Sequence, residues 1–328
     1  MDRIECLAIG DLLFVLRAPD LSTLERTRSL ECIVGSAEIN VLSGLARLGM
    51  STGLISKACD NFIGRWLVDM VRSVGTDTSR VRWTRGGRMG IMFVERGTPP
   101  RPSRVVYDRE GSAISTLTVD EVDWEYFDRA ENFFVSGITP ALGENCRRVV
   151  RHAIERAHDK KKRVFFDLNF RRQLWGAEEA RSYVETILPL VDVLFIKPAD
   201  SREVLRTSGD PDELAEELKA RFGIELVVVS LGAAGAVAYR ASRHMARSFD
   251  TQVVNRFGVG DAFIAGFMYR FLGGGNLDAA LDYGCAAAAI KATIPNEQFL
   301  LATREEVEAL VARRLGTGEG ADAMEVLR

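Results

Sequence analysis

A short glycine-rich turn is the segment of this sequence with the clearest chemical potential. Gly258-Val259-Gly260-Asp261 lies between a short apolar run and an almost wholly apolar stretch that predicts a helix beginning at Asp261. Backbone N–H groups at the start of a helix point outward at the positive end of its dipole, so Gly258, Val259 and Gly260 could hold an anionic group. Asp261 could take a proton beside that group, or it could simply cap the helix.

Two common phosphate-binding loops do not match this turn. A dinucleotide-binding fingerprint requires a third glycine three residues after Gly260, where this sequence has Phe263. A Walker loop requires glycine followed by lysine, and no Gly-Lys pair occurs in the chain. The sequence therefore disfavours an NAD-dependent oxidoreductase and a P-loop nucleotide hydrolase.

Residues 253–267 resemble the signature of the ribokinase-like sugar kinases, the PfkB family, which is usually T-G-A-G-D followed by an apolar helix. The resemblance covers nearly the whole chain. It implies a ribokinase-like α/β fold, in which a mostly parallel central sheet is covered by helices on both faces and a small β-sheet forms a lid. It also implies a kinase that uses ATP and Mg²⁺, with Asp261 as the general base. The N–H groups of Gly258, Val259 and Gly260 would stabilise the transferring phosphoryl group.

A second motif, at residues 35–49, resembles the N-terminal G-G-x-x-x-N element of the family, whose glycines and asparagine line the sugar site. The resemblance assigns sugar contacts to Gly35, to Asn40, to Asp11 and to Ser36, which replaces the usual second glycine. Without the family context, Asn40 could equally be a polar residue on the surface of a helix.

The resemblance also implies a nucleotide site that includes a glycine loop after a predicted strand at residues 225–230. The residues to which it assigns ATP contacts are Lys197, Ser230, Gly232, Gly235, Gly258 and Gly260. Asp200-Ser201-Arg202-Glu203 replaces the family's N-x-x-E motif, which implies that Glu203 helps to order Mg²⁺ through water. Asn255 replaces an aspartate that binds a monovalent cation in relatives, and this argues against activation by such a cation.

Four segments are closer to 2-keto-3-deoxygluconate kinases than to the family at large, namely residues 104–113, 167–175, 286–295 and 303–307. In those kinases one tyrosine and two arginines contact a sugar acid, and the matching residues here are Tyr107, Arg109 and Arg171. A guanidinium group can bind a carboxylate through two hydrogen bonds, so these residues suit an acidic sugar. Asn296-Glu297 and Met92 depart from the pattern of those kinases.

Three functions are open at this stage. The leading hypothesis is an ATP-dependent kinase that phosphorylates 2-keto-3-deoxygluconate. The acceptor could instead be another sugar, such as 5-dehydro-2-deoxygluconate or fructose. A non-catalytic sugar-binding protein on the same fold is the third, supported by the altered residues Ser36, Asp200 and Asn255.

The elements that must position these residues follow from hydrophobic patterning. Strands are predicted at residues 4–16, 53–57, 133–136, 163–167, 191–196 and 225–230, and helices over 36–48 and 62–74. Residues 81–117 alternate without a helical period and predict an antiparallel ribbon. We expect one domain over residues 1–328, with lid strands within 12–34 and 81–117. Exposed lid edges are often covered by a second subunit, which predicts a homodimer through the lid.

Composition narrows the partners to small molecules. The 328 residues include 43 Lys and Arg against 46 Asp and Glu, a formal charge of -3, so no basic field favours nucleic acid or an anionic membrane. No apolar stretch is long enough to span a bilayer, and the N-terminus lacks the pattern of a secretory signal. Five scattered cysteines predict neither a disulfide framework nor a zinc site, and a cytoplasmic location is expected. The three histidines are interpreted as surface residues and the four tryptophans as packing groups.

Overall fold

A computed structural model of the protein describes residues 3–98, 100–295 and 302–316. Within these residues, the strands are β1 (Ile4–Ile9), β2 (Leu13–Arg17), β3 (Glu31–Gly35), β4 (Thr52–Cys59), β5 (Thr76–Thr84), β6 (Ile91–Glu95), β7 (Arg104–Asp108), β8 (Ala130–Ser136), β9 (Arg163–Asp167), β10 (Val193–Ile196), β11 (Leu226–Ser230), β12 (Ala236–Tyr239) and β13 (Arg243–Ala246). The helices are α1 (Ala37–Arg47), α2 (Phe62–Ser73), α3 (Trp124–Asp128), α4 (Glu144–Asp159), α5 (Ala177–Ile187), α6 (Pro198–Asp200), α7 (Pro211–Phe222), α8 (Val259–Leu272), α9 (Leu277–Thr293) and α10 (Arg304–Arg314).

The larger of two sheets has nine strands in the order β13-β12-β11-β10-β9-β8-β1-β4-β5. All neighbours are parallel except β11 with β12 and β12 with β13. One face packs against α4, α5 and α7, and the other packs against α1, α2, α8 and α9. Helices on both faces bury the central strands from two sides, which explains their nearly unbroken apolar runs. The predicted mostly parallel, helix-covered sheet is confirmed.

The predicted strand at residues 4–16 is two strands in different sheets. β1 ends at Ile9 in the large sheet, and β2 begins at Leu13 in the smaller one. Between them, a side chain on Gly10 would lie 2.6 Å from the Glu38 Cβ, so glycine is needed where the chain passes α1. Apolar patterning did not reveal the break because both strands are largely buried.

The prediction of an antiparallel ribbon at residues 81–117 is wrong at both ends. Ala113–Thr116 form a short 3₁₀-helix, and residues 81–84 belong to β5, which pairs in parallel with β4 at the edge of the large sheet. This strand alternates between buried and exposed residues because its outer side faces solvent, as in a ribbon strand. The α2 connection between β4 and β5 makes the pair an ordinary βαβ unit.

The smaller sheet has four strands in the order β3-β2-β6-β7. The outer pairs β2 with β3 and β6 with β7 are antiparallel, whereas the central pair β2 with β6 is parallel. Its first two strands precede α1 and its last two follow β5, so two separate insertions meet in one layer. We call this sheet the lid.

Most local predictions agree with the structure. The helices predicted over 36–48 and 62–74 are α1 and α2, and the hydroxyl of Ser36 caps α1 by accepting from the Ile39 N–H at 3.3 Å. The helix predicted to begin at Asp261 is α8, which begins two residues earlier. The five cysteines are free, and none of the described helices is long and apolar enough to cross a membrane.

The interpretation of the tryptophans as packing groups needs correction at one position, and two of the surface histidines have close partners. His152 is half-buried against Trp124, with ring centroids 4.5 Å apart, and His244 is half-buried beside Asp278, with 3.0 Å between Nδ1 and Oδ1. Trp83 lies on the exposed edge strand β5 and is 41% exposed, so it is not a core packing group. Its position on an edge strand explains that exposure.

Candidate active site

The glycine turn is the N-terminus of α8. Gly258 precedes the first helical residue with a φ of 74°, a left-handed conformation that favours glycine. The side-chain oxygen of Asn255 accepts a hydrogen bond from the Phe257 N–H at 3.0 Å, which fixes the chain as it enters the turn. A Cβ on Gly260 would meet no atom within 4 Å, so the space above the first turn of α8 is open. The turn can therefore admit an anion close to its backbone.

Asp261 is held by a side chain from the other end of the sequence. Its Oδ2 accepts a hydrogen bond from Asn40 Nδ2 of α1 at 2.7 Å. The remaining polar atom of that amide, Asn40 Oδ1, is buried and has no hydrogen-bond partner among the described residues. A hydroxyl of a bound molecule could satisfy it. The two predicted motifs thus meet at one carboxylate.

Burial raises the pKa of Asp261 above its ordinary value. The hydrogen bond from Asn40 and the charges of Arg171, Lys197 and Lys291 act in the opposite direction. Lys291 is a fully buried residue of α9, and the sequence analysis did not select it. A carboxylate with a raised pKa binds a proton more readily, which suits a general base.

Two cavities meet at Asp261. The first, of about 460 Å³, lies between the lid and the large sheet, and we call it the lid cavity. The second, of about 150 Å³, lies at the carboxyl ends of β9, β10 and β11, and we call it the sheet-edge cavity. Both are lined by Asn169, Arg171, Phe257, Gly258 and Asp261. A group transferred from one cavity to the other would pass beside the Asp261 carboxylate.

The lid cavity contains seven of the eight residues predicted to contact a sugar. These are Gly35, Ser36, Asn40, Tyr107, Arg109, Arg171 and Asp261. Its other lining residues are Leu13, Val15, Ala37, Met92, Val105, Ile138, Asn169, Phe170, Arg172, Gln173, Phe257 and Gly258. The structure therefore brings together most of the residues predicted for the sugar site, although the role of each residue stays a prediction.

Asp11 is the exception, because it does not line the lid cavity. It is buried with Arg109, whose Nη2 and Nε donate to Asp11 Oδ2 at 2.8 and 3.2 Å. The Arg109 guanidinium therefore already has a buried counter-charge, while its centre lies 5.5 Å from the Tyr107 ring. The family resemblance placed both residues among the sugar contacts without showing that they bind each other.

The sheet-edge cavity contains Lys197, Ser230, Gly258 and Gly260 of the predicted ATP contacts. Gly232 and Gly235 do not line it, because they form the tight connection between β11 and β12. A Cβ on Gly235 would lie 2.0 Å from the Ala246 carbonyl oxygen, which gives this glycine a packing role at least.

Glu203, the predicted magnesium residue, lines neither cavity. Its carboxylate binds the Arg172 guanidinium through two hydrogen bonds, one of 2.7 Å between Nη2 and Oε2. Arg172 itself lines the lid cavity, and the sequence offered no signal for it beyond its position next to Arg171. This ion pair joins the loop after β9 to the segment after β10.

Asp167, at the end of β9, is an acid of the sheet-edge cavity that the sequence analysis left without a role. Burial raises its pKa to about 7, although the charges of Lys197 and Arg171 oppose the rise. Its position was available from the sequence, because the carboxyl ends of parallel strands meet at one sheet edge, where ligands bind.

The residues of the sheet-edge cavity suit the phosphates of a magnesium nucleotide. No group of three or more His, Cys, Asp or Glu side chains suited to a metal occurs in the described part of the chain. The cavity does hold Asp167 and Asp261 beside the open first turn of α8. Magnesium is commonly held by one or two carboxylates, nucleotide phosphates and water, so these two carboxylates are ligands of the right kind.

Comparisons with known proteins decide the family. The model of the pfkB family carbohydrate kinases matches residues 3–304. The chain belongs to this family. It is therefore a carbohydrate kinase, a phosphotransferase with an alcohol acceptor, and its fold is the ribokinase-like fold.

Several relatives cover nearly the whole of this kinase. A 2-dehydro-3-deoxygalactonokinase from Haloferax volcanii is 36% identical over 308 residues, which are 94% of this chain and 96% of that protein. A 5-dehydro-2-deoxygluconokinase from Bacillus subtilis is 30% identical over 316 residues, with 94% and 95% covered. The crystal structure of a 2-dehydro-3-deoxygluconokinase from Thermotoga maritima has a TM-score of 0.88 at 31% identity, with 95% and 99% covered. The relatives support a sugar kinase and differ in their sugars.

Proposed function

We propose that this protein transfers the γ-phosphoryl group of ATP to a hydroxyl of a 2-keto-3-deoxy sugar acid, with 2-keto-3-deoxygluconate as the leading acceptor. The observation that carries the proposal is the position of Asp261 where the two cavities meet, held by Asn40 and placed in the first turn of α8. The lid cavity would hold the sugar, and the sheet-edge cavity would hold the phosphates of ATP.

In the proposed mechanism, Asp261 accepts the proton of the acceptor hydroxyl. The freed oxygen forms a bond to the γ-phosphorus as the bond from this phosphorus to the bridging oxygen breaks, and ADP carries away the electron pair. The N–H groups at the start of α8, with Lys197 and Arg171, lie where they can stabilise charge on the phosphoryl oxygens. Magnesium bound to the nucleotide would neutralise phosphate charge, and Asp167, a carboxylate of the sheet-edge cavity, would help to hold it.

Selection of an acidic sugar would depend on Arg171 and Tyr107. Arg109 already has Asp11 as a buried partner, and Arg172 has Glu203. The Arg171 guanidinium donates a 3.3 Å hydrogen bond from Nη1 to the neighbouring Phe170 carbonyl, which is a neutral partner and not an acid. A carboxylate in the lid cavity can therefore bind Arg171 without displacing another acid from it.

The relatives direct the choice of acceptors for a test. We would measure ADP release with ATP and magnesium for 2-keto-3-deoxygluconate, 2-keto-3-deoxygalactonate, 5-dehydro-2-deoxygluconate and fructose. The proposal expects the highest kcat/KM for one of the two 2-keto-3-deoxy acids. A preference for fructose would contradict the role of Arg171, and a preference for 5-dehydro-2-deoxygluconate would replace the proposed acceptor while keeping the reaction.

A homodimer through the lid is part of the proposal. Leu16, Phe93 and Val106 lie on neighbouring lid strands at positions that do not line the lid cavity, and Val106 is 54% exposed. A second copy covering this apolar surface would remove it from water. Sedimentation should show a dimer for the wild-type protein and a monomer for Val106→Glu, whereas a monomeric wild type would contradict the proposal. The five free cysteines suit a reducing cytoplasm.

A further inference from the structure

The carbonyl oxygen of Pro295 accepts hydrogen bonds from three side chains that are far apart in the sequence. Arg17 Nη1 and Arg96 Nη1 each donate to it at 2.7 Å, and Asn255 Nδ2 donates at 3.4 Å. Two of these side chains come from the lid region, and the third comes from the segment that leads into the glycine turn. A single backbone atom after α9 therefore connects the lid with the turn.

The lid residues are held in place by further contacts within the lid region. Arg17, on β2, is almost fully buried and pairs with Glu31 on β3. Arg96 follows β6, and its Nη2 donates to the Asp20 carbonyl at 3.1 Å. Because β2 and β6 are the central pair of the lid, the positions of both guanidinium groups depend on the position of the whole lid sheet.

Asn255 connects the same carbonyl with the turn. Its amide is a buried group with two tasks, because Nδ2 donates to Pro295 while Oδ1 accepts from the Phe257 N–H. The N–H groups of Val254 and Asn255 both donate to the Ala292 carbonyl at 2.8 and 3.1 Å, so this segment is fixed to the end of α9.

Phe257 makes a second connection between the lid and the turn. Its side chain packs against the inner apolar cluster of the lid, which consists of Leu13, Val15, Ile33 and Val94. It also lines both cavities and directly precedes Gly258. The N–H of Phe257 is thus fixed by Asn255, and its ring is fixed by the lid.

We propose that Arg17 and Arg96 are positioning residues, which act through the Pro295 carbonyl and Asn255 to hold the glycine turn in its anion-binding conformation when the lid is seated. The proposal rests on the proposed role of that turn in phosphoryl transfer. Neither arginine lines a cavity, so neither is expected to touch sugar or nucleotide. Charge-assisted hydrogen bonds to a carbonyl are among the stronger ones in proteins, which suits this role.

The test compares three substitutions in one lid. Arg17→Met and Arg96→Met, alone and together, remove the donors to Pro295 and retain apolar side chains. Arg101→Met is the matched control, because Arg101 bonds the Leu21 carbonyl at 2.6 Å and Glu95 at 3.4 Å without contacting Pro295. We would measure kcat and KM for the preferred acceptor, together with amide hydrogen exchange of residues 256–261 in the free protein.

The double variant should lose about 10²-fold in kcat with a much smaller change in KM, since misplacement of the turn affects the transition state most. Exchange in residues 256–261 should become faster in this variant and stay unchanged in Arg101→Met. Arg17→Lys combined with Arg96→Lys keeps a donor at each position and should retain part of the kcat that the double methionine variant loses. A double variant with the kcat and exchange of Arg101→Met would overturn the proposal.

One further variant keeps the proposal testable if the double variant does not fold. Asn255→Asp keeps an acceptor for the Phe257 N–H but loses the donor to Pro295. Because the family resemblance implies that aspartate here binds a monovalent cation, this variant is measured without potassium or sodium ions, where it should show lower kcat and faster exchange in the same residues. Normal kcat and exchange in Asn255→Asp would overturn the proposal. Failure of the underlying function is distinguishable, because it would appear as full activity in Asp261→Asn, whatever the arginine variants do.

Discussion

The sheet-edge cavity and the lid cavity differ in how their residues are brought together. The sheet-edge cavity is formed by the ends of neighbouring parallel strands and the first turn of α8, so its residues follow from strand order. The lid cavity requires two inserted segments, α1 and the loop after β9. Two of its arginines, Arg109 and Arg172, also form ion pairs with acids, and the sequence does not show this pairing. Reaction chemistry is therefore easier to predict here than substrate preference.

The largest effect should come from Asp261, the carboxylate that both cavities share. Asp261→Asn keeps the size of the side chain but removes the proton acceptor, so kcat should fall about 10³-fold. Steady-state kinetics with the preferred acceptor would measure this. Asp69→Asn, at an exposed residue of α2, is the control and should keep normal activity. A kcat for Asp261→Asn near that of the control would show that another group takes the proton.

The buried pair under the lid cavity should matter for stability. Arg109→Met leaves Asp11 buried without its partner and should cost about 3–5 kcal/mol of unfolding free energy, measured by urea titration. Asp11→Leu combined with Arg109→Met removes both charges and should recover most of the loss. If the double variant is as unstable as the single one, the pair is not the cause. If it is stable but no longer prefers acids, Arg109 also binds the carboxylate.

Substitutions of Arg171 and Arg172 should show whether recognition of an acidic sugar depends on the arginine that is not bound to a neighbouring carboxylate. Arg171→Met should lower kcat/KM for a sugar acid about 10²-fold, because the carboxylate and the phosphoryl group both lose a cation. Arg172→Met, which leaves Glu203 at the surface, serves as the comparison and should change kcat/KM much less. Equal effects of the two substitutions would contradict the distinction drawn between them.

The smallest effect should be a pH dependence of stability at the sheet-edge cavity. Burial raises the pKa of Asp167 to about 7 in the folded protein, whereas the unfolded chain titrates near the ordinary value of 3.8. Between these values the folded state binds more protons, so Asp167 lowers stability as the pH rises from about 4 to 7. The stability of Asp167→Asn relative to the wild type should therefore increase as the pH rises from about 4 to 7 in urea titrations without ligands. A constant difference across this range would show that Asp167 does not titrate there.

Sequence reasoning succeeded where local pattern and structure coincide. The apolar runs of β8 to β11 predicted a parallel sheet, because strands buried on both faces need apolar residues throughout. It failed at residues 81–84, since an exposed edge strand alternates in the same way as a ribbon strand. It also missed the break after Ile9, because both flanking strands are buried.

The sequence by itself determined the glycine turn, since Gly258-Val259-Gly260-Asp261 is one contiguous segment and the apolar residues that follow dictate a helix. Only the tertiary structure decided which groups surround Asp261. Asn40 reaches it from 221 positions away in the chain, and Arg109 is bound to Asp11 across 98 positions. Contacts over such separations depend on how sheets and helices pack, and packing leaves no periodic signal in a single sequence. The charge that a substrate meets is for this reason a property of the fold.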